Sequence, residues 1–119
     1  GVLLDQSKAV FNGKIFVYQD AQKTNAFQQS NNILFSDKAS VNAKPQLEIF
    51  ADDVKCSHGT TIGQINKDAL FYLQTRGIGE LMAKNMMVNA FAFDVTEKVK
   101  IPALRTYLEK LIAAEMEKA

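Results

Sequence analysis

A single cysteine cannot close an internal disulfide, so covalent stapling contributes nothing to this fold. Free thiol usage of this kind fits a reducing compartment, and the expected localisation is cytoplasmic. No apolar run approaches the ~18 residues that a membrane-spanning helix needs. No charged n-region leads into an apolar stretch, as a signal peptide would require. Fourteen basic residues against thirteen acidic ones leave a net charge of +1, and no basic run stands out. Electrostatics therefore gives no case for nucleic acid or an anionic membrane as a partner. A Gly-x-x-x-x-Gly-Lys-Ser/Thr loop is also missing, so nucleotide is not held here through a P-loop. Gly1 stands where an initiator methionine would, and it leads directly into VLLDQSKAVFNGKIFVY, which already alternates like a strand. The expectation is a piece of something longer.

What is present is ordinary for one small domain: 119 residues, 47% hydrophobic and 23% charged. A chain of this size buries about 65% of its unfolded surface. Residues 1 to about 65 are rich in Val, Ile, Phe, Asn, Ser and Gly, in short apolar runs without helical period. A repeat lies inside them. Val17-Tyr18-Gln19-Asp20, Leu34-Phe35-Ser36-Asp37 and Ile49-Phe50-Ala51-Asp52 all read aliphatic, aromatic, small or polar, Asp. LFSDKASV and IFADDVKC run parallel over eight positions and pair Val41 with Cys56. Such short repeats bury nothing alone and must stack. Turns of roughly fifteen to twenty residues point to a parallel β-helix, with Asn25, Asn31, Asn32 and Asn42 expected at its corners because Asn tolerates left-handed backbone. An antiparallel sandwich with similar strand spacing is the alternative. The Asp series reads as turn chemistry, since one carboxylate per coil is too few oxygens for Ca²⁺.

From Asn66 the period changes to helical. Asn66 reads as an N-cap with Asp68 in the first turn, and Gly77 as the glycine that ends the helix. A second helix is expected from about Gly79 to Val99, buried on more than one side. Pro102 suits the first turn of a third helix, in which Leu104, Leu108, Leu111 and Ile112 form one apolar stripe. The predicted boundaries are 1–65 for the β portion and 66–119 for a helical domain.

The only cysteine and only histidine sit two positions apart, as Cys56-Ser57-His58. In a strand they share a face, placing a thiol and an imidazole side by side. Both are soft-metal ligands, and together they are half a site. Cys56 reads equally as a small buried hydrophobe. His58 stands near a strand end before Gly59 and has no apolar counterpart in the earlier repeats, which favours a site or an interface. A Cys–His nucleophilic enzyme is a poor alternative, because strand neighbours rarely reach the in-plane contact a base needs and no orienting third group is evident.

The run from Lys44 to Ile78 closely resembles the SufB/SufD family, the scaffold subunits of SUF iron–sulfur cluster assembly. The resemblance rests on Glu48-Ile49-x-Ala51-Asp52-Asp53, Val54-Lys55-Cys56-Ser57-His58-Gly59, Ile62-Gly63, Leu70-Phe71-Tyr72-Leu73 and Arg76-Gly77-Ile78. A weaker match extends from about Val2 through the second helix. Thr60-Thr61-Ile62-Gly63 departs mildly from the family's usual Ala-Thr-Val-Gly. The B-type members carry an acidic Glu-His-Glu motif at the Lys55–Gly59 stretch and a cysteine that corresponds to Ser30 here. This chain therefore resembles the SufD branch.

The resemblance implies the last coils of a right-handed parallel β-helix, mainly β with α, followed by a C-terminal helical domain. It implies a non-catalytic scaffold subunit that pairs with a SufB-type subunit through its β-helix end and docks the SufC-type ABC ATPase. A transient iron–sulfur cluster would form at the subunit interface, with His58 and Cys56 on this side and none bound by this piece alone. An iron–sulfur cluster wants about four soft ligands, so the partner must supply the rest. Asp52, Asp53 and Ser57 are the nearby candidates for orienting the histidine. Tyr72, Arg76, Met82 and Met86 are candidates for the ATPase-binding surface; Arg76 reads equally as a cation at a helix C-terminus, and the methionines as core. A purely structural assembly subunit with no metal role is the remaining alternative. The exposed coil end also invites self-association.

Overall fold

In the computed structural model, which describes residues 1–118, five strands precede three helices. The strands are β1 (Val2–Leu3), β2 (Lys8–Val17), β3 (Asn25–Leu34), β4 (Ser40–Ile49) and β5 (Lys55–Gln64). The helices are α1 (Lys67–Thr75), α2 (Glu80–Thr96) and α3 (Pro102–Glu117). Two compact units divide the chain, Gly1–Ile65 and the residues from Asn66 onward.

In the first unit every strand pairing is parallel, which removes the antiparallel alternative. The sheets have the orders β1-β3-β5 and β2-β4, so each strand pairs with the one two places along the chain. Lys8 lies opposite Ser40, an offset of 32 residues, and Asn25 opposite Lys55, an offset of 30. The expected stacking period of fifteen to twenty residues is thus corrected. That spacing separates successive strands in different sheets, and stacked partners lie about twice as far apart. The eight-residue match follows the same rule: Val41 stacks on Ala9 and Cys56 on Ala26.

Burial follows the two-residue period of a strand. In the β2-β4 ladder Ile15 stacks on Leu47, and all of Ile15, Val17 and Leu47 are at least half-buried, while Lys8, Asn12, Asn42 and Lys44 are exposed. Pro45 lies in β4, at the edge of its sheet, where a missing N–H is tolerated. It stands opposite Gly13. A Cβ on Gly13 would come within 2.3 Å of Gln28 Nε2, so Gln28 of β3 reaches across the interior to the opposing sheet. Gln28, Ser30 and Asn32 thus mark the inward face of β3, and Ser30 and Asn32 are buried.

The asparagines expected at corners lie elsewhere. Asn25 opens β3, Asn31 and Asn32 are inside it, and Asn42 is inside β4. Left-handed backbone falls instead on Asp5 and Lys23. Stacked parallel strands explain the difference, because an amide can bond the neighbouring strand. Asn32 Nδ2 donates to Thr61 O at 3.2 Å, and Thr61 Oγ1 donates to Asn31 Oδ1 at 3.0 Å. Lys23 holds its own turn to the next by donating backbone N–H to Asp53 O at 2.7 Å and by pairing with the Asp53 carboxylate. Asp20, Asp37 and Asp52 follow the ends of β2, β3 and β4, and Asp37 accepts from Gln64 Nε2.

In the helical unit Asn66 caps α1 through Oδ1, which accepts from Ala69 N at 3.0 Å. Gly77, at φ +83°, ends α1; its N–H reaches Gln74 O while the Ile78 N–H reaches Leu73 O, a Schellman arrangement. Pro102 opens α3. The core holds Ala83, Val88, Thr96 and Met116. Two expectations need correction here. On α3 the inward line is Leu108, Ile112 and Met116, spaced by four, and Leu104 and Leu111 are exposed. α2 leaves Leu81, Met82, Met86, Phe93 and Val95 exposed, so much of its apolar girth has no cover within this unit.

Candidate functional site

Cys56 and His58 lie in β5, the last strand of its sheet. Alternation puts them on one face with Thr60 and Ile62, in register with the inward residues Ala26, Gln28, Ser30 and Asn32 of β3. Coverage along this face is unequal. Cys56 is half-buried, His58 and Thr60 are exposed, and Ile62 is 47% exposed. The cause is topological: the second sheet stops at β4, so among the described residues β5 has no facing strand of its own. The sequence thus puts a thiol at the rim of the core and an imidazole just beyond it.

The donor set is small. No group of three or more His, Cys, Asp or Glu side chains comes together among the described residues. The side chains proposed to orient His58 are placed otherwise. Ser57 is the next residue of the strand and faces the other way. Asp53 is paired with Lys23, and Asp52 is exposed in the bend before the strand. The side chain directly opposite His58 is Gln28, whose Oε1 is buried and accepts no hydrogen bond. Sequence reading missed it because it lies 30 residues upstream, and only the parallel register brings it alongside. Ser30 sits one step further along, opposite Thr60, with its Oγ accepting from Asn32 Nδ2 at 3.1 Å.

The second candidate surface is helical. Tyr72 is 57% exposed, and the Arg76 guanidinium lies 5.2 Å from its ring centroid, a cation–π contact within α1 and its cap. Met82 and Met86 are 60% and 44% exposed, one turn apart on α2, with Phe93 on the same side. Arg105 of α3 reaches over the Phe93 ring at 5.3 Å and donates from Nε to Glu109. No helix among the described residues is long and apolar enough to cross a membrane.

Comparison with known proteins gives one consistent result. A family model described as SUF system FeS cluster assembly, SufBD core domain, matches residues 1–91. The iron-sulfur cluster assembly protein SufD of Escherichia coli is 47% identical over 104 residues, covering 87% of this chain and 25% of that protein. An iron-sulfur cluster assembly SufBD family protein of Synechocystis is 41% identical over 109 residues, covering 92% and 24%. The chloroplastic protein ABCI7 of Arabidopsis thaliana is 46% identical over 91 residues, covering 76% and 19%. The chain spans a quarter or less of the length of these relatives, and it corresponds to their C-terminal portion.

Proposed function

This chain belongs to the SufBD core family of SUF iron–sulfur cluster assembly, and from that premise we propose that it is the SufD-type side of a shared assembly site. The strand unit forms the last coils of a parallel β-helix. Supporting this reading are the all-parallel pairing, the 30- and 32-residue offsets and the alternation of strands between two sheets. The unit pairs with a SufB-type subunit through its β5 end, and the helical unit from Asn66 docks a SufC-type ATPase through Tyr72, Arg76, Met82 and Met86. The role is that of a non-catalytic cytoplasmic scaffold.

One observation carries the site: His58 is exposed on the same face as Cys56, on the strand that ends its sheet. An exposed imidazole there is open to a partner, and a half-buried thiol beside it supplies a second soft donor. The nascent cluster is cargo, and two donors fit it in part. The rest must come from across the interface. His58 supplies a neutral ring nitrogen, and Cys56 supplies a thiolate at the inner edge or else packs against Ala26.

The test is His58→Ala in the full-length protein, co-expressed with a B-type partner and the ATPase. A surface substitution leaves unfolding within about 0.5 kcal/mol. Iron and sulfide recovered with the complex fall on the order of tenfold or more. Full recovery of iron and sulfide contradicts the ligand role. On the helical side, Met86→Glu leaves stability intact and weakens capture of the ATPase.

A further inference from the structure

We propose that Gln28 is a positioning residue for His58, its carboxamide oxygen accepting the imidazole N–H so that the other ring nitrogen faces the incoming cluster. This inference rests on the reading of His58 as a ligand and names the group that would orient it.

Three observations converge on the pair. Gln28 and His58 are exact partners in the β3-β5 register, and partners in a parallel ladder project to the same side about 4.8 Å apart. Gln28 Oε1 is buried and has no donor, an expensive condition for an amide oxygen. His58 makes no side-chain hydrogen bond among the described residues, although a ligating histidine needs its second nitrogen held. The orphan acceptor and the unheld donor are therefore neighbours.

Gly13 fixes where that acceptor can go. A Cβ at this position would lie 2.3 Å from Gln28 Nε2 and 2.9 Å from Gln28 Cδ, so the carboxamide is lodged against bare backbone of the opposing sheet. The carboxamide is thus anchored on the Gly13 side by its nitrogen, and the side chain beside it on the adjacent strand is His58. Asp53, the nearest carboxylate by sequence, is occupied by Lys23. A neutral amide is well suited to this task. It fixes the tautomer without adding a charge that would compete for the metal.

The experiment reads the ring directly. In the full-length protein labelled with ¹⁵N-histidine, His58 is identified by the resonance that His58→Ala removes. The wild-type ring should favour one tautomer by about tenfold, the worth of one hydrogen bond to a buried acceptor. Gln28→Leu keeps the bulk and removes the acceptor, and should reduce that bias by about the same factor. Gln28→Ala makes the same prediction without adding apolar volume, should the leucine variant fold poorly. Gln28→Glu retains an acceptor oxygen and should preserve the tautomer. A tautomer ratio unchanged by removing the amide overturns the inference, as does loss of the bias in the glutamate variant. Cluster recovery in the complex should fall about tenfold in Gln28→Leu. If His58→Ala leaves cluster recovery intact, the ligand reading falls, while the tautomer result still decides the contact.

Discussion

Asn32 shows how a buried amide ties one strand to the next. Its Nδ2 faces three oxygens: Ser30 O at 3.4 Å, Ser30 Oγ at 3.1 Å and Thr61 O at 3.2 Å. Asn32→Ala removes the donor from Ser30 Oγ and Thr61 O, while Ser30 O keeps Thr60 Oγ1, at a cost of about 1–3 kcal/mol in urea unfolding. Asn32→Asp places a carboxylate where only a donor is welcome, so its folded pKa should rise above the unfolded value of about 3.9. The sign follows from that rise: the variant is relatively stable below the unfolded pKa and loses stability as pH climbs through the folded one. Unfolding midpoints at pH 4 and pH 7 should diverge in that order, and equal penalties at both would contradict the three-acceptor geometry. At this scale the sequence was partly readable. Cys56 and His58 could be paired from their spacing alone, because i and i+2 is a property of any strand. Gln28 could not, because nothing within ten residues of His58 points to a glutamine 30 positions away; the information lies in the ladder register. The asparagines misled for a related reason. Their turn propensity is real, but a stacked strand offers the amide a second use.

Among the elements, the helices were more legible than the strands, since caps are local chemistry. Asn66, Gly77 and Pro102 act within three or four residues and were found where the sequence put them. Asn66→Ala should lower stability by about 1 kcal/mol. Gly77→Ala should cost about 1–2 kcal/mol, because L-residues are disfavoured at φ +83°. Glu80 opens α2 and forms an ion pair with Lys84 at 2.6 Å. The hydrogen bond from Lys84, together with its charge, holds the Glu80 carboxyl below the usual value of 4.5. A depressed folded pKa means the pair stabilises α2 above pH 4.5 and is lost as pH falls further. Lys84→Ala should make the stability of the helical unit less dependent on pH in that acid range. The apolar stripes were less legible than the caps. A stripe tells which residues are apolar, but not which of them a neighbour will cover. Leu104 and Leu111 are as apolar as Leu108 and remain exposed.

Considered as a whole molecule, the chain combines a stacked-strand unit and a three-helix unit with different rules of construction. The repeats pointed to stacked strands but left parallel and antiparallel pairing open, and their true period was masked because the repeat links successive strands of different sheets and not the stacked ones. Ile62 offers a test at this scale. It is exposed on the inner face of β5, beyond His58, where the proposed pairing would seat the B-type subunit. Ile62→Lys should leave the fold of the full-length protein unchanged and weaken its association with a B-type partner by about tenfold to a hundredfold, as loss of an apolar anchor does. Analytical ultracentrifugation of the mixed subunits checks this, and undiminished pairing would mean that the face lies outside the interface.

The 30- and 32-residue offsets also govern the order in which the chain can be assembled. A ribosome adding about 5–20 residues per second releases β3 a few seconds before β5. β3, β4 and β5 therefore each emerge to find the strand they stack on already laid down. Growth of this kind is directional, like courses of brick, and the histidine arrives on the newest course.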